Sequence, residues 1–282
     1  MKNILLKLPC EIREQINGLE EKGYQITEIT IRSGKKAVIK GKNRYVKLNY
    51  FTSVEDVNEC LKKLCDLSVY AYMEELKNGF ITVKGGHRIG ICGTAVIKDN
   101  KIYNIKNINS LNIRIAHAIK GCGEAFGINP KSMLVISPPG CGKTTLLRDI
   151  CRNVGMSHKV SVVDERGEIA GVFEGVPCFD VGDMTDVMSL CKKTDGIEIM
   201  LRSMSPEYIV TDEIAAADYE SINRAMSYGV NIIASAHGSN IKETVLRLGL
   251  QNISKLFNKI VLLSNRNGAG TVEKIVCGGI VE

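Results

Sequence analysis

The stretch MLVISPPGCGKTTLLRDICRNV, residues 133–154, decides how this chain folds. Met133–Ile136 is a short apolar run, a loop of proline and glycine follows, and Lys143 to Val154 has the pattern of a helix. The tripeptide Gly142-Lys143-Thr144 is weak evidence alone. With Gly140 two residues earlier, a strand before and a helix after, it stands in the strand–loop–helix setting of a phosphate-binding loop. Glycines let backbone N–H groups turn inward around phosphate oxygens, and the following helix points its positive end at the same anion. Pro139, Gly140, Cys141, Gly142, Lys143, Thr144 and Thr145 line that cradle. Lys143 is placed to reach β and γ phosphates and Thr144 to bind Mg²⁺, which points to ATP with Mg²⁺ as the ligand. The usual motif opens with glycine; Ser137 stands there instead, and Pro138 biases it toward an extended backbone.

Working outward, Tyr208-Ile209-Val210-Thr211-Asp212-Glu213 is an apolar strand that ends in two acids. Ligands of open α/β sheets gather at the carboxyl ends of strands. Asp212 is expected to hold Mg²⁺ through water, and Glu213 to orient or activate an attacking water. A second acidic cluster, Asp164-Glu165-Arg166-Gly167-Glu168, follows the strand Val160–Val163. It reads either as a charged loop or as a source of Glu165 and Glu168 facing the γ phosphate. His237, with Ser235 and Gly238 beside it, reads either as a structural strand-end residue or as a sensor of that phosphate. Arg88, Arg114, Arg166 and Arg202 are the candidates for charge stabilisation, each equally readable as a surface arginine.

The C-terminal part, residues 132–282, alternates strand and helix. Val160–Val163, Tyr208–Val210, Ile232–Ala236 and Ile260–Leu263 are apolar strands, with helices such as Gly196–Met204 and Tyr219–Ser227 between them. That order implies a parallel sheet covered by helices on both faces. Asn267–Gly268 between Lys259–Ser264 and Thr271–Val276 predicts a hairpin. Residues 1–120 read as a smaller α+β domain. It has a helix over Pro9–Leu19, a strand at Thr27–Arg32 and a capping-box helix from Ser53 through Cys65. A helix over Tyr70–Leu76, stopped by Asn78–Gly79, comes next. Strands at Phe80–Val83, Arg88–Val96 and Leu111–Ala116 complete it, with turns at Gly85–Gly86 and Asp99–Asn100. Residues 121–131 read as a linker.

Composition narrows the class further. The 282 residues are 44% hydrophobic and 24% charged, ordinary for a chain that buries a core. A net charge of +6, from 37 basic and 31 acidic residues, permits an anionic partner without arguing for one. The 10 cysteines include no CxxC pair and no zinc-ligand spacing, so they read as reduced thiols. The N-terminal apolar run is broken by Lys7, unlike a signal peptide, and no stretch of about 18 apolar residues exists to span a membrane. Membrane contact is therefore expected to be peripheral or through a partner.

Taken together, VVDERGEI (162–169), LRSMSPEYIVTDEI (201–214) and the strand ending in His237 resemble the "Asp box", Walker B and "His box" of the hexameric ATPases of type II and type IV secretion. A closer resemblance is to the stage III sporulation protein AA family. It is carried by GFITVKGGHRIGICGTAV (79–96), SLNIRIAHAIKG (110–121), SPPGCGKTTLLRD (137–149), SMSPEYIVTDEI (203–214), NIIASAHG (231–238) and LLSNRNGAGTVEKI (262–275). The resemblance implies a RecA-like P-loop NTPase core behind an N-terminal secretion-ATPase-like domain, and assembly with itself as a hexamer. It implies a peripheral motor in the mother-cell cytoplasm, at the membrane facing the forespore, acting on integral-membrane proteins of a secretion-like channel. On it Glu168 falls at the Asp-box glutamate, Asp212–Glu213 at Walker B and His237 at the His box. Arg88 and Arg114 become candidates to reach nucleotide. Secretion ATPases usually carry Gly-Glu at Walker B, where this chain keeps Asp212–Glu213.

Two other readings stay open. A nucleic-acid-stimulated RecA-like ATPase predicts basic stripes interleaved with aromatics. Aromatics are 5% of the chain, Trp is absent, and no such run is evident, so no direct nucleic-acid contact is expected. An ATP-gated scaffold with little turnover has no need of Glu213, which this chain retains.

Overall fold

The computed structural model describes residues 1–41, 44–66, 72–77, 79–116, 119–249 and 256–278. These form two compact units, Met1–His117 and Ala118–Glu282.

The N-terminal unit opens with α1 (Lys2–Leu5) and α2 (Cys10–Glu21), then β1 (Ile26–Arg32), β2 (Lys35–Gly41) and β3 (Tyr45–Thr52). Next come α3 (Val54–Leu64), α4 (Met73–Leu76), β4 (Phe80–Val83), β5 (His87–Lys98) and β6 (Lys101–Arg114). The strands make one antiparallel sheet in the order β3-β2-β1-β6-β5-β4. Alternate residues Ile29, Ile31, Ile89, Ile91, Leu111 and Ile113 turn inward and are buried with Ile12 and Ile16 of α2 and Val57, Leu61 and Leu64 of α3. The capping box at the start of α3 is complete: the Ser53 hydroxyl accepts from Asp56 N–H, and the Asp56 carboxylate accepts from Ser53 N–H. Asp99 and Asn100 take left-handed backbone at the β5–β6 turn, φ 51° and 56°. The first part of the helix expected over Tyr70–Leu76, and Asn78, lie outside the described residues.

Two features of this unit differ from the reading of the sequence. Strands β2 and β3 were not anticipated. Strand β3 is an edge whose outer positions Tyr45 and Phe51 are exposed. Lys36 Nζ sits 5.5 Å from the Phe51 ring and Lys40 Nζ 6.0 Å from the Tyr45 ring. This is an interleaved basic–aromatic array, contrary to the expectation that the chain carries none.

The C-terminal unit holds β7 (Met133–Ser137), α5 (Lys143–Val154), β8 (Val160–Asp164), the small ribbon β9 (Val172–Phe173) and β10 (Val176–Pro177), and β11 (Thr185–Ser189). It continues with α6 (Lys193–Ser203), β12 (Tyr208–Thr211), α7 (Tyr219–Ser227), β13 (Asn231–His237), α8 (Ile241–Arg247), β14 (Lys259–Ser264) and β15 (Thr271–Cys277). Seven strands form a sheet in the order β11-β8-β12-β13-β7-β14-β15, parallel except for the last pair. Every residue of β7 and β8 is buried, as strands covered on both faces require. Leu134 and Ile136 pack with Ile197 and Met200 of α6 and Ile222 and Ala225 of α7. Met133 and Val135 turn to the other face, with Leu147, Ile150 and Val154 of α5. The fold is thus the α/β P-loop arrangement expected, with a smaller α+β unit before it.

Residues 121–131 include a short 3₁₀ turn, Glu124–Phe126, and Phe126 is buried against α5 and the neighbouring strands. Gly123 N–H donates to the Asp149 carboxylate at 2.7 Å, and a Cβ on Gly123 would stand 2.7 Å from Ile150 N.

Candidate functional site

Strands β7, β13, β12 and β8 lie side by side and run the same way, so their carboxyl ends share one edge of the sheet. Ser137, His237, Thr211–Asp212 and Asp164 end on that edge. The β7 loop turns through Gly140 and Gly142, with φ of 73° and 86°, where a side chain is strained. A Cβ at Gly140 would meet nothing within 4 Å, which leaves that backbone free for a close anion. At Gly142 it would stand 3.1 Å from Gly270 N, and Gly270 N–H donates to the Cys141 carbonyl at 3.0 Å. The β14–β15 turn therefore backs the loop.

Lys143 is buried, and its ammonium donates to the Ser137 and Pro138 carbonyls at 3.0 and 3.1 Å, with Ser137 Oγ at 3.4 Å. Burial pulls its pKa below the ordinary lysine value, against the raising field of Glu213. Thr144 and Thr145 sit half-buried in the first turn of α5, whose N–H groups face the loop.

Asp212 is 1% exposed, and neither carboxylate oxygen has a hydrogen-bond partner among the described residues. Burial lifts its pKa to about 7, Asp164, Glu168 and Glu213 add to the rise, and Lys193 opposes it. A buried carboxylate without donors is costly. Its two bare oxygens suit a cation. No group of three or more His, Cys, Asp or Glu poised to hold a metal occurs among the described residues. One acid and one hydroxyl beside a phosphate cradle is the donor set that Mg²⁺ takes, since it keeps several waters and shares phosphate oxygens. The residues present fit that ion.

Glu213 has φ 42°, an uncommon conformation for a residue with a side chain. Ser235 of β13 holds it there: Glu213 N–H donates to Ser235 Oγ at 3.0 Å and Ile214 N–H to the Ser235 carbonyl at 2.8 Å. Its carboxylate, about a third exposed, meets Arg166 Nη1 at 2.5 Å.

The loop after β8 is fastened from three directions. The buried Asp164 carboxylate accepts from Glu168, Ile169 and Ala170 N–H at 2.8, 3.1 and 2.9 Å. Arg148 of α5 donates to the Ile169 and Glu168 carbonyls, both at 2.6 Å, and stacks 3.7 Å from the Phe179 ring centre. Burial draws the Arg148 pKa down to about 10. Lys193, 5% exposed at the start of α6, pairs with Glu165 at 2.6 Å. Sequence reading passed over Arg148, Lys193 and the anchoring role of Asp164. A trace was available for Arg148: it sits one turn before Cys151, on a helix face otherwise given to core residues.

The edge thus gathers the β7 loop, Asp212, Glu213, Glu168 and His237. His237 is exposed at the end of β13, opposite Ser137 in register, and its carbonyl accepts from the Arg247 guanidinium. Arg202 is exposed on α6 and pairs with Glu198 at 3.1 Å. Arg88 and Arg114 belong to the N-terminal unit, where they are cross-strand neighbours on β5 and β6, and the Arg88 guanidinium lies 3.7 Å from the Phe80 ring centre. No helix among the described residues is long and apolar enough to cross a membrane.

The family model described as "Sporulation stage III, protein AA" matches residues 1–278. Stage III sporulation protein AA of Bacillus subtilis (strain 168) is 35% identical over 98% of this chain and 91% of its own length. Among solved structures, the Legionella pneumophila ATPase DotB superposes with a TM-score of 0.62 at 17% identity, over 90% of this chain and 76% of that one. The pilus retraction motor PilT, solved with bound ADP, gives a TM-score of 0.61 at 14% identity, over 90% of this chain and 78% of its own. At such identities the likeness speaks for the fold, that of the P-loop secretion and pilus motors.

Proposed function

The chain belongs to the sporulation stage III protein AA family, and on that footing we propose that it is an ATP-hydrolysing motor. It works as a ring, of six copies by analogy with secretion ATPases, peripherally at the mother-cell membrane that faces the forespore. There it energises a secretion-like channel through contacts with integral-membrane proteins of that channel. The observation that carries the ATPase reading is Asp212: a buried carboxylate with two unpartnered oxygens, on the strand edge that also carries a glycine loop and its lysine.

On this reading the backbone from Pro139 to Thr145 binds the phosphates. Lys143 exchanges the Ser137 and Pro138 carbonyls for β and γ phosphate oxygens. Thr144 and Asp212 hold Mg²⁺, which neutralises charge on the phosphates when bound. Glu213, fixed at a strained backbone position by Ser235, accepts a hydrogen bond from the attacking water and orients it. Glu168, with its backbone pinned at both N–H and carbonyl, assists from the β8 loop. His237 reports the state of the terminal phosphate to β13.

The β3 array favours one rival, a motor stimulated by single-stranded nucleic acid. Exposed Tyr45 and Phe51 with Lys36 and Lys40 beside them have the chemistry of a stacking platform. One experiment separates the two. ATP turnover is measured for purified wild type and Glu213→Gln, with and without single-stranded DNA, while mass in solution is recorded. The motor reading expects slow, DNA-indifferent turnover, lost by about 10²- to 10⁴-fold in Glu213→Gln, with ATP-dependent assembly. Strong stimulation by DNA moves the assignment to the rival.

A further inference from the structure

Arg166 is a charged group of the site to which the mechanism above gives no task. It stands in the fastened loop after β8, so its backbone is held while its long side chain reaches outward, about half exposed. Its guanidinium meets Glu213, the residue assigned to water, at 2.5 Å. A carboxylate oxygen engaged by that guanidinium is not free to accept a hydrogen bond from water along the same direction. The pair is partly solvated, and exposed ion pairs are worth about 0–1 kcal/mol, so it exchanges readily. Besides burial, Glu213, Cys141, Arg166 and Asp212 all act on the Lys143 ammonium, which puts the guanidinium in the field of the phosphate lysine. A planar fork of donors prefers a phosphate with two or more free oxygens to a single carboxylate oxygen.

We propose that Arg166 distinguishes ATP from ADP at this site: it leaves Glu213 for the terminal phosphate of ATP, and so frees Glu213 to orient water only when that phosphate is present. The inference rests on the ATP reading above and adds to it a residue that couples recognition of the γ phosphate to catalysis. Thr144 and the loop backbone serve the phosphates common to both nucleotides, and Lys143 spans the β phosphate and the γ. Arg166 acts on the one that differs.

The test is binding of a non-hydrolysable ATP analogue and of ADP, each with Mg²⁺, to the full chain by calorimetry. Wild type, Arg166→Ala, Arg166→Lys, Glu213→Gln and the Glu213→Gln/Arg166→Ala double variant are compared. Arg166→Ala should lose about 10- to 100-fold in affinity for the analogue, the effect of one charge-assisted hydrogen bond. ADP affinity should stay as in wild type, which also reports that the variant is folded. Arg166→Lys should fall between, keeping charge without the fork. Glu213→Gln should tighten the analogue several-fold by releasing the guanidinium, and the gain should vanish in the double variant. An analogue-to-ADP ratio unchanged in Arg166→Ala overturns the inference while the ATP reading stands. Absence of binding of either nucleotide to wild type overturns both.

Discussion

The loop after β7 and the loop after β12 are two halves of one site, and they treat buried charge in opposite ways. Lys143 spends its donors on carbonyls of its own loop, whereas Asp212 finds no donor at all among the described residues. The difference follows from chemistry. A glycine- and proline-rich turn has backbone carbonyls to lend to an ammonium, but the end of the central strand sets Asp212 near Asp164, Glu168 and Glu213, and the cations close by are engaged elsewhere, Lys193 with Glu165 and Arg166 with Glu213. The cationic half is satisfied by the fold, and the anionic half leaves two acceptor oxygens open, those that the proposed Mg²⁺ would engage. A site so built gives up stability for function.

Breaking the cationic half has the largest expected effect. Lys143→Ala should cost about 10²- to 10³-fold in turnover, the scale for removing one preorganised charge donor. Steady-state assay beside nucleotide binding checks this, and turnover left intact would remove the site assignment. Next comes the anionic half, read through pH in metal-free buffer. Asp212 holds its proton up to about pH 7 in the folded chain, well above the ordinary aspartate value of 3.8. Between those values the native state binds more protons than the unfolded state, so this group's share of stability is intact below about pH 4 and is lost as pH rises toward 7. Asp212→Asn should abolish that decline and be more stable at pH 8 by on the order of 4 kcal/mol. Urea melts across pH measure it, and a wild-type profile that rises from pH 4 to 7 no less than the variant's would contradict it. Gly142→Ala sharpens the comparison from the loop side: the left-handed backbone and the nearby Gly270 should cost about 1–3 kcal/mol, seen as a fall in melting temperature. Ser235→Ala has the smallest effect, about 1 kcal/mol for one hydrogen bond to Glu213 N–H, with a matching fall in turnover but little change in ADP affinity.

Legibility in the sequence followed burial. Helix α5 runs over Lys143–Val154, the span its pattern predicts, because loop and apolar stripe agree there. The central strands were legible as apolar runs, being buried on both faces. Strands β2, β3 and β11 and the first half of β6 were not. KKAVIKG does alternate in burial on an inner strand, but its buried set is small, Ala37, Ile39 and Gly41 among lysines, and KIYNIKNINS sets lysine and asparagine in a stretch that is mostly exposed, where no core enforces a clear period. At the site, residue types and strand ends were readable: glycine loop, terminal acids, strand-end histidine. Contacts made across the sheet were not. That Ser235 would pin Glu213, that Arg148 would fasten the β8 loop, and that Arg166 would meet Glu213 depend on which strands become neighbours. Only the strand order β8-β12-β13-β7 decides that.

The contact between Gly142 and Gly270 carries a consequence for how such chains diverge. The Gly270 backbone is the wall that a side chain at position 142 would press against, whereas a Cβ on Gly270 would meet nothing within 4 Å, and the Cys141–Gly270 hydrogen bond ties the two turns together. A side chain acquired at position 142 needs compensating retreat in the hairpin, while position 270 is held to glycine by its left-handed backbone, φ 90°, and not by the loop. The dependence runs one way: change at 142 calls for change in the hairpin, a link that a set of related sequences would reveal as covariation between the phosphate loop and the β14–β15 turn.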